Sequence, residues 1–419
     1  MPGTPAVTGA VYTDVTSVPA GGYVTVYGIA TGTSNWAIAY QGNGRTVVQA
    51  PAGAATGTAS LSVNGQSFTI NIHAGRVLTA TPSTLLSVVN GLQPGDTVYL
   101  RAGTYSGKYD SENWNESNIV LFKTGTAAQP LAFLPYPGEV VTLQNAAARP
   151  NFNLGGADRK SNYVTIAGFN LIAPQSCISG GGNTANSSTP ESGSAFVRVV
   201  GNRCQLTDTT NNTMVGMISL QGDGWKVIGN TFVNDPARVI INNNHAIYVQ
   251  NGADDVEIAY NVLRNLRMGH VIQIHQDGTP MLYENINIHH NILEAANAGD
   301  MRGVTVSNVD SASTVTVANN TLRNLGQNFS AIAVYRGVVT VRDNQMFDIS
   351  APALMLSAQG GGTRSVTASG NRIGVAAGGS YLQLDSGAPA SDLHLQGNKY
   401  CGGGAFPSSP SDPAPAACP

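Results

Sequence analysis

A short strand motif recurs seven times between Met217 and Asp385, and it constrains the fold more than any other feature of the chain. In each copy the second and fourth residues are aliphatic, whereas the third and fifth are mostly polar or variable. A period of two places one set of side chains inside and the other outside a β-strand. The copies are Met217–Gln221, Ala246–Gln250, Val271–His275, Gly303–Ser307, Ala331–Tyr335, Ala353–Ser357 and Tyr381–Asp385.

A repeated asparagine interleaves with the strand motif. The seven steps from Asn202 to Asn398 span 196 residues, an average of 28 per step. A period of this length marks stacked structural repeats. At a tight turn Asn tolerates left-handed backbone angles, and its amide can bond the equivalent Asn one turn of the stack away. The eight residues are Asn202, Asn230, Asn261, Asn291, Asn320, Asn344, Asn371 and Asn398.

The strand motif and the asparagine repeat together resemble the right-handed parallel β-helix of the pectate-lyase-like superfamily. The resemblance covers roughly residues 80–400 and implies an all-β fold of about ten stacked turns, or rungs. This fold hosts several chemistries, so the function has to be argued from the site.

The N-terminal part of the chain follows a different pattern. Residues 5–78 alternate as short strands separated by turn signals, which predicts a small β-sandwich. The run Val18–Gly28 resembles the opening of an immunoglobulin-like IPT/TIG domain, which implies a spacer or sugar-contacting accessory. Ser83–Asn90 is predicted to form a short helix, which in β-helix lyases caps the N-terminal end of the coil. The predicted domains are 1–78, 79–400 and a C-terminal tail at 401–419.

The four cysteines predict two disulfides. Cys177 and Cys204 are 27 residues apart, about one rung, so they can stack on neighbouring turns. Cys401 and Cys418 bracket a Gly/Pro/Ser-rich tail that has little else to hold it. The pairs 177–204 and 401–418 would indicate an oxidising compartment, and four buried free thiols are the alternative.

Composition and charge bear on partners and location. A net charge of −3 with 21 Lys and Arg residues gives no general attraction to nucleic acid or to an anionic membrane. No apolar run reaches membrane-spanning length. The first residues show no signal peptide, so we expect either that a signal was removed or that the protein leaves the cell by another route, as a phage tail component would. The expectation is a secreted or periplasmic monomer, or a trimer if it derives from a phage.

Aligning the seven strand copies predicts a polar and aromatic groove on neighbouring rungs, which are about 4.8 Å apart. In the resembled superfamily this strand face is the usual substrate groove. His245 and His270 precede their strands in one column with Arg302, although their even spacing is also compatible with two rings stacked inside the coil. The other predicted groove residues are Gln221, Tyr248, Gln250, Gln273, His275, Ser307, Tyr335 and Arg336.

The predicted groove suits β-elimination from a uronate polysaccharide. That reaction needs a cation to neutralise the substrate carboxylate, a base to take the adjacent proton and an acid for the leaving oxygen. His275 is the natural base because His titrates near neutrality, Tyr248 is the natural acid, and Arg302 or Arg336 would supply the cation. The chondroitinase-B-like lyases instead use a Lys base with calcium, and their Lys/Arg signature is absent here.

Ligand spacing does not predict a metal site, and calcium is left open as a cofactor. Asp110, Glu112 and Glu116 form an acidic insert that could bind calcium, but solvated loop acids are the favoured interpretation. A second insert, 179–194, is rich in Gly, Asn, Ser and Thr and is predicted to be a surface loop.

Two other functions stay open. Asp223 and Asp277 align two rungs apart, roughly 10 Å, and a glycoside hydrolase needs two carboxyl groups about 5 to 10 Å apart. The third possibility is a non-catalytic β-helix, either an adhesin-like carbohydrate binder or the stem of a trimeric phage tailspike.

Overall fold

The computed structural model describes most of the chain. The described residues are 7, 9–109, 116–147, 149–156, 159–180, 193–209, 215–234, 237, 244–296, 301–325, 330–402, 404, 412 and 416–417. Asp110 and Glu112, most of the insert at 179–194, and Cys418 lie outside these residues. The chain divides into two compact units: Met1–Ala185, Gly193–Thr207 and Trp225–Thr231 form the first, and Asn186–Ser192, Asp208–Gly224 and Phe232–Pro419 the second.

Two small sheets form the N-terminal part of the first unit. One is antiparallel, with the strand order Tyr12–Thr13, Tyr23–Tyr27, Arg45–Gln49 and Ala37–Gly42. The other has the order Ser17–Pro19, Gln66–His73 and Gly57–Val63. The predicted small β-sheets are therefore present, and the IPT/TIG resemblance stays a prediction.

Three long parallel sheets follow the N-terminal sheets, with twelve, ten and twelve strands. This confirms the predicted parallel β-helix. Sheet 1 contains Val77–Ala80, Thr97–Leu100, Leu131–Pro135, Val164–Ala167, Val197–Val200, Lys226–Ile228, Glu257–Ala259, Ile286–His289, Thr314–Ala318, Gly337–Arg342, Arg364–Ser369 and Leu393–Gln396. Sheet 2 contains Ile119–Val120, Phe152–Asn153, Ile178–Ser179, Val215–Gln221, Asn244–Gln250, His270–His275, Arg302–Ser307, Ile332–Val334, Leu354–Ser357 and Leu382–Asp385. Sheet 3 contains Gly103–Tyr105, Val141–Gln144, Asn170–Ala173, Arg203–Leu206, Thr231–Val233, Val262–Leu266, Ile292–Ala295, Thr321–Arg323, Gln345–Ile349, Arg372–Val375, Lys399–Cys401 and Ala416–Ala417.

A few short elements complete the described secondary structure. The predicted helix near Pro82 forms at Leu85–Asn90, and its Leu85 and Val89 side chains are buried. A two-stranded antiparallel sheet pairs Gly155–Gly156 with Arg159–Lys160. A turn of 3₁₀-helix spans Ala390–Asp392. No helix among the described residues is both long enough and apolar enough to cross a membrane.

The core lies inside the rungs, where the second residue of every strand motif is at most 2% exposed. Burying these aliphatic side chains in stacked layers provides the main stabilisation of such a coil, because a single rung cannot bury its own apolar face. The seven residues are Ile218, Ile247, Ile272, Val304, Ile332, Leu354 and Leu382.

The asparagine repeat forms a buried hydrogen-bond ladder within each unit. In the second unit, for example, the backbone N–H and the side-chain amide of Asn261 both donate to Oδ1 of Asn291, at 2.9 Å. The same pattern continues to Asn398, whose amide donates to Asp412 at 2.9 Å. The left-handed backbone angles belong to the residue before each ladder Asn, such as Gly229, Tyr260 or His290, and this corrects the expectation that the Asn itself adopts them.

The predicted disulfide between Cys177 and Cys204 is confirmed. Their Cα atoms lie 5.9 Å apart. Leu171 and Cys204 are paired on neighbouring strands, so the bridge links successive rungs of the first unit. Cys401 is also disulfide-bonded. The predicted 401–418 pair includes Cys418 and stays a prediction.

The N-terminal sheets pack directly on the turns of the first unit. The Tyr12 and Tyr27 rings stack with centroids 5.1 Å apart. A Cβ on Gly201 would lie 2.5 Å from the Tyr27 ring, and one on Gly229 would lie 1.8 Å from the Tyr12 hydroxyl. The left-handed backbone favours glycine here, and the close approach of the two tyrosines leaves little room for a larger side chain.

Candidate functional site

Sheet 2 of the second unit carries the predicted groove in the register that the sequence alignment gives. Ser219 pairs with Tyr248, Tyr248 with Gln273 and Gln273 with Thr305. The column before the strands is also confirmed, because His245 pairs with His270 and His270 pairs with Arg302. The period-two pattern therefore fixed which residues stand next to one another on successive rungs.

The third-position residues are less exposed than the alternation predicts. Tyr248 and Gln273 are 3% and 8% exposed, and Thr305 is 3% exposed. Tyr248 is covered by a stacked His245 ring at 4.1 Å and lies 6.4 Å from the ring of His275. The alternation predicts that the third residues of the strand motif are open to solvent. The structure corrects this expectation, because neighbouring side chains cover them.

His245 and His270 stack on each other with ring centroids 5.3 Å apart. Both rings are buried, as the alternative of an inward stack implies. They nevertheless lie on the groove side, because His245 stacks on Tyr248 and Nδ1 of His270 is 3.0 Å from Oγ1 of Thr305. The two rings thus form a floor beneath the groove, and their contact with a substrate stays a prediction.

Arg302 is held by a neutral histidine. Its Nη1 lies 2.7 Å from Nε2 of His270. An arginine can only donate, so Nε2 accepts and the His270 proton resides on Nδ1, facing Thr305. Burial, the Arg302 charge and the neighbouring histidines lower the pKa of His270 well below its ordinary value, which keeps the ring neutral. Burial also lowers the pKa of Arg302, so its charge is partly desolvated.

His275 is oriented by Ser307 and faces Asp277. Its Nδ1 lies 3.1 Å from the Ser307 carbonyl oxygen and 3.0 Å from the Ser307 hydroxyl. A carbonyl accepts only, so Nδ1 carries the proton and Nε2 keeps its lone pair. Nε2 lies 3.4 Å from Oδ1 of Asp277, and the His275 side chain is 26% exposed. Once Nε2 is protonated, its hydrogen bond to Asp277 lowers the pKa of this carboxyl group, which is ionised at neutral pH.

The Tyr248 hydroxyl belongs to the same cluster. Burial raises its pKa above the ordinary value of tyrosine, and the nearby Asp277 charge raises it further, while a hydrogen bond with Gln250 opposes the shift. Tyr248 is therefore protonated at neutral pH and able to donate a proton.

An amide network extends the cluster along the strand ends. Gln221 donates to Gln250 at 3.1 Å, and Asn251 donates to Gln221 at 2.9 Å. One rung further, Gln273 donates to the Ser307 hydroxyl at 3.2 Å. These side chains present a continuous polar lining next to His275.

The two candidate arginines have different surroundings. Arg302 lies in the cluster, and its charge also acts on half-exposed Tyr335. Arg336 instead donates through Nε to the Gly361 carbonyl oxygen at 2.7 Å and is tied to the turn after the neighbouring strand, Leu354–Ser357. The contact with His270 therefore favours Arg302 over Arg336 as the candidate cation of the groove.

The two candidate carboxylates also have different partners. Asp223 accepts the backbone N–H of Asp254 at 3.0 Å, whereas Asp277 faces His275. The pairing of Asp277 with His275 was not predicted from the sequence. The sequence feature that could have predicted this pairing is the spacing of His275 and Asp277, because residues two apart near a strand end lie on one side of the chain.

Metal-ligating groups do not converge in the part of the chain that the structure describes. No cluster of three or more His, Cys, Asp or Glu side chains there could hold a metal ion.

Comparison with known proteins gives structural matches. No family model matches the chain, and no curated protein does. An alginate lyase from Paenibacillus sp. FPU-7 aligns over 82% of this chain and 97% of its own, with 15% identity and a TM-score of 0.43. A mannuronic-acid-specific family 6 polysaccharide lyase from human gut microbiota covers 83% and 92%, with 14% identity and a TM-score of 0.48. The pectate lyase Pel9A covers 83% and 79%, with 11% identity and a TM-score of 0.44. The activity has to be argued from the groove itself.

Proposed function

We propose that this protein is a polysaccharide lyase that cleaves a uronate-containing polymer by β-elimination along the strand ends of sheet 2. The observation that carries the proposal is the orientation of His275. Its Nδ1–H is engaged by the Ser307 carbonyl, which leaves Nε2 as the basic atom, and Asp277 lies 3.4 Å from that atom. A charged carboxylate at this position would stabilise the imidazolium that forms when His275 takes a proton.

The elimination balances over three residues. His275 Nε2 takes the proton from C5 of the uronate, and the released electron pair forms the C4=C5 double bond as the C4–O bond breaks. The Tyr248 hydroxyl gives its proton to the departing oxygen. Arg302 neutralises the substrate carboxylate, which makes the C5 proton acidic enough to remove. Proton exchange with solvent then restores both groups.

Arg302 suits this task for a physical reason. A guanidinium binds a carboxylate through two parallel hydrogen bonds, and partial desolvation strengthens such a charged interaction. His270 holds one nitrogen of the guanidinium without competing for its charge, since the ring is neutral.

The proposal also covers the location of the protein, its oligomeric state and its cofactors. The Cys177–Cys204 disulfide supports an oxidising, extracellular or periplasmic location. We propose a monomer that acts without a resident cofactor. Light scattering tests the first point, because a tailspike stem would be trimeric, and a chelator added to the assay tests for calcium.

The decisive experiment follows the absorbance of new unsaturated ends on a panel of acidic polysaccharides. His275→Ala should lower the rate by roughly 10²- to 10⁴-fold, the usual contribution of general acid–base catalysis. Its thermal midpoint should change little, because the side chain is partly exposed. His394→Ala is the matched control, since His394 is exposed on a strand of sheet 1.

Asp277→Asn separates elimination from hydrolysis. In the elimination, Asp277 only supports His275, so we expect a loss of about tenfold, smaller than that of His275→Ala. Hydrolysis by Asp223 and Asp277 would make Asp277 essential and His275 dispensable. A saturated product carrying oxygen from solvent water, or full activity in His275→Ala, would overturn the elimination.

A further inference from the structure

A pair of stacked aromatic rings lies on the turns of the first unit and is not part of the proposed groove. The rings of Tyr163 and Phe196 are parallel, with centroids 4.6 Å apart and an interplanar angle of 8°. Each precedes a strand of sheet 1, and the strands that follow are in register at Val164 and Val197. Phe196 is 46% exposed, so this apolar surface faces solvent.

The backbone at both rings is unfavourable for aromatic residues. Tyr163 and Phe196 have φ angles of 54° and 56°, in the left-handed region. The equivalent turns of later rungs use Gly224, Asp255 and Asn285, which adopt these angles at little cost. A single stacked pair does not require this conformation, and strained residues that persist on a surface are typical of functional positions.

Basic side chains occur in the segments next to the ring pair. Lys123, Arg159 and Lys160 are all exposed, and the Arg159 guanidinium lies 4.9 Å from the ring centroid of Phe122. Thr124 Oγ1 accepts the backbone N–H of Asn162 at 3.0 Å, which fixes the Lys123 segment beside Tyr163. Among the residues that the structure describes, neither lysine forms an ion pair.

We propose that Tyr163, Phe196, Lys123, Arg159 and Lys160 form a second, non-catalytic binding site for an acidic polysaccharide. Aromatic side chains pack against the C–H faces of sugar rings, while lysine and arginine attract the carboxylates of successive units. The choice of an acidic polymer agrees with the proposed function and rests on it in part. Such a site would hold a long chain on the protein independently of the groove residues.

The test uses the double variant Tyr163→Asn/Phe196→Asn in a His275→Ala background, so that the polymer stays intact. Binding is measured by native gel retardation with polygalacturonate, polymannuronate or hyaluronan embedded in the gel, and with dextran as the uncharged control. We expect at least about tenfold weaker binding to the acidic polymer that retards the parent. The thermal midpoint should stay or rise, because Asn accepts left-handed angles.

Two further variants sharpen the result. Tyr260→Asn is the matched control, because Tyr260 also has a positive φ of 57° and stacks on a neighbouring ring, His290, at 5.1 Å. Its binding should equal that of the parent. Lys123→Gln/Lys160→Gln should weaken binding most at low salt and reduce its salt dependence.

The second binding site and the lyase proposal would fail with different experimental results. A double variant that loses stability but binds normally would show that the rings serve packing only, and absence of retardation by every acidic polymer would also overturn the proposal. Elimination is assayed separately with the wild-type protein on short oligouronides. If that assay fails while the double variant loses binding, the second site stands and the lyase proposal falls.

Discussion

At the scale of single residues, burial decides which groups carry charge. His270 is 3% exposed and faces a guanidinium, and both conditions favour its neutral form. A charged imidazole at this position would repel Arg302 rather than hold it. The sequence placed the two residues in one column, but their protonation follows from neighbours that only the folded chain brings together.

Asp14 offers a test of the same principle through stability. It is fully buried, and this desolvation raises its pKa from 3.8 to about 6, although its Oδ1 accepts the backbone N–H groups of Val15 and Thr25. A raised carboxyl pKa stabilises the fold most below the unfolded value, and that contribution is lost as the pH rises through the folded value. A shift of about two units corresponds to about 3 kcal/mol.

Asp14→Asn should therefore gain stability over the wild type as the pH rises. Its amide oxygen can accept the same two hydrogen bonds and never ionises. We expect the difference in unfolding free energy between variant and wild type to increase by about 2 kcal/mol from pH 4 to pH 7, because part of the full shift is already expressed at pH 4. Urea denaturation at several pH values measures it, and exposed Gln396→Ala, which changes no titratable group, is the control that should show a flat difference.

At the scale of elements, the asparagine ladder stabilises the turns between sheets 1 and 3. Asn291 is 1% exposed, accepts from Asn261 and donates to the Ile258 carbonyl at 2.8 Å. Each ladder Asn thus satisfies buried backbone groups that a turn inside a protein would otherwise leave without partners.

Asn291→Ala should lower the unfolding free energy by about 3 kcal/mol, because it leaves at least two buried groups without hydrogen bonds. The expected measurement is a lower midpoint of chemical denaturation. Exposed Gln396→Ala serves as the comparison and should change the midpoint little. A loss in Asn291→Ala no larger than in this control would contradict the structural role of the ladder.

Sheet 2 shows one difference between expectation and structure. The pairing keeps one register from His245–His270 to Ile247–Ile272, and regular alternation would turn His245 to the same side as Ile247. The His245 ring instead stacks on Tyr248 on the groove side.

At the scale of the whole molecule, glycine turns in the first unit accommodate the N-terminal sheets. Gly229 has a φ of 65° and lies under Tyr12, whereas Gly397 has a φ of 64° and meets nothing within 4 Å. The two glycines occupy the same position before a ladder Asn, so they differ in their surroundings rather than in their backbone.

Gly229→Ala should consequently destabilise more than Gly397→Ala. Both variants place an alanine in the left-handed backbone region, which costs about 1 kcal/mol. Only Gly229→Ala also displaces the Tyr12 ring, which should add about 1–3 kcal/mol, as overpacking usually does. Thermal unfolding measures the difference, and limited proteolysis should release the N-terminal sheets from Gly229→Ala first. Equal midpoints would show that the packing of Tyr12 on this turn contributes nothing.

The sequence by itself determined the stack. The aliphatic positions recur with a period of two inside a period of about 28 residues, and only parallel stacked rungs bury all of them at once. The same repeat set the register of Tyr248, Gln273 and the His245–His270–Arg302 column. The Cys177–Cys204 bridge followed from its 27-residue spacing.

Only the tertiary structure decided which side-chain atoms of these neighbouring residues contact one another. A repeat fixes the rung and face of a side chain, but the direction of its last atoms depends on rotamers and on the path of each turn. The structure therefore showed that Asp277 faces His275, that Arg302 is held by His270, and that Arg336 is drawn away to Gly361. Protonation depends on the burial and charges around each group, so it too emerged only when the rungs were packed together.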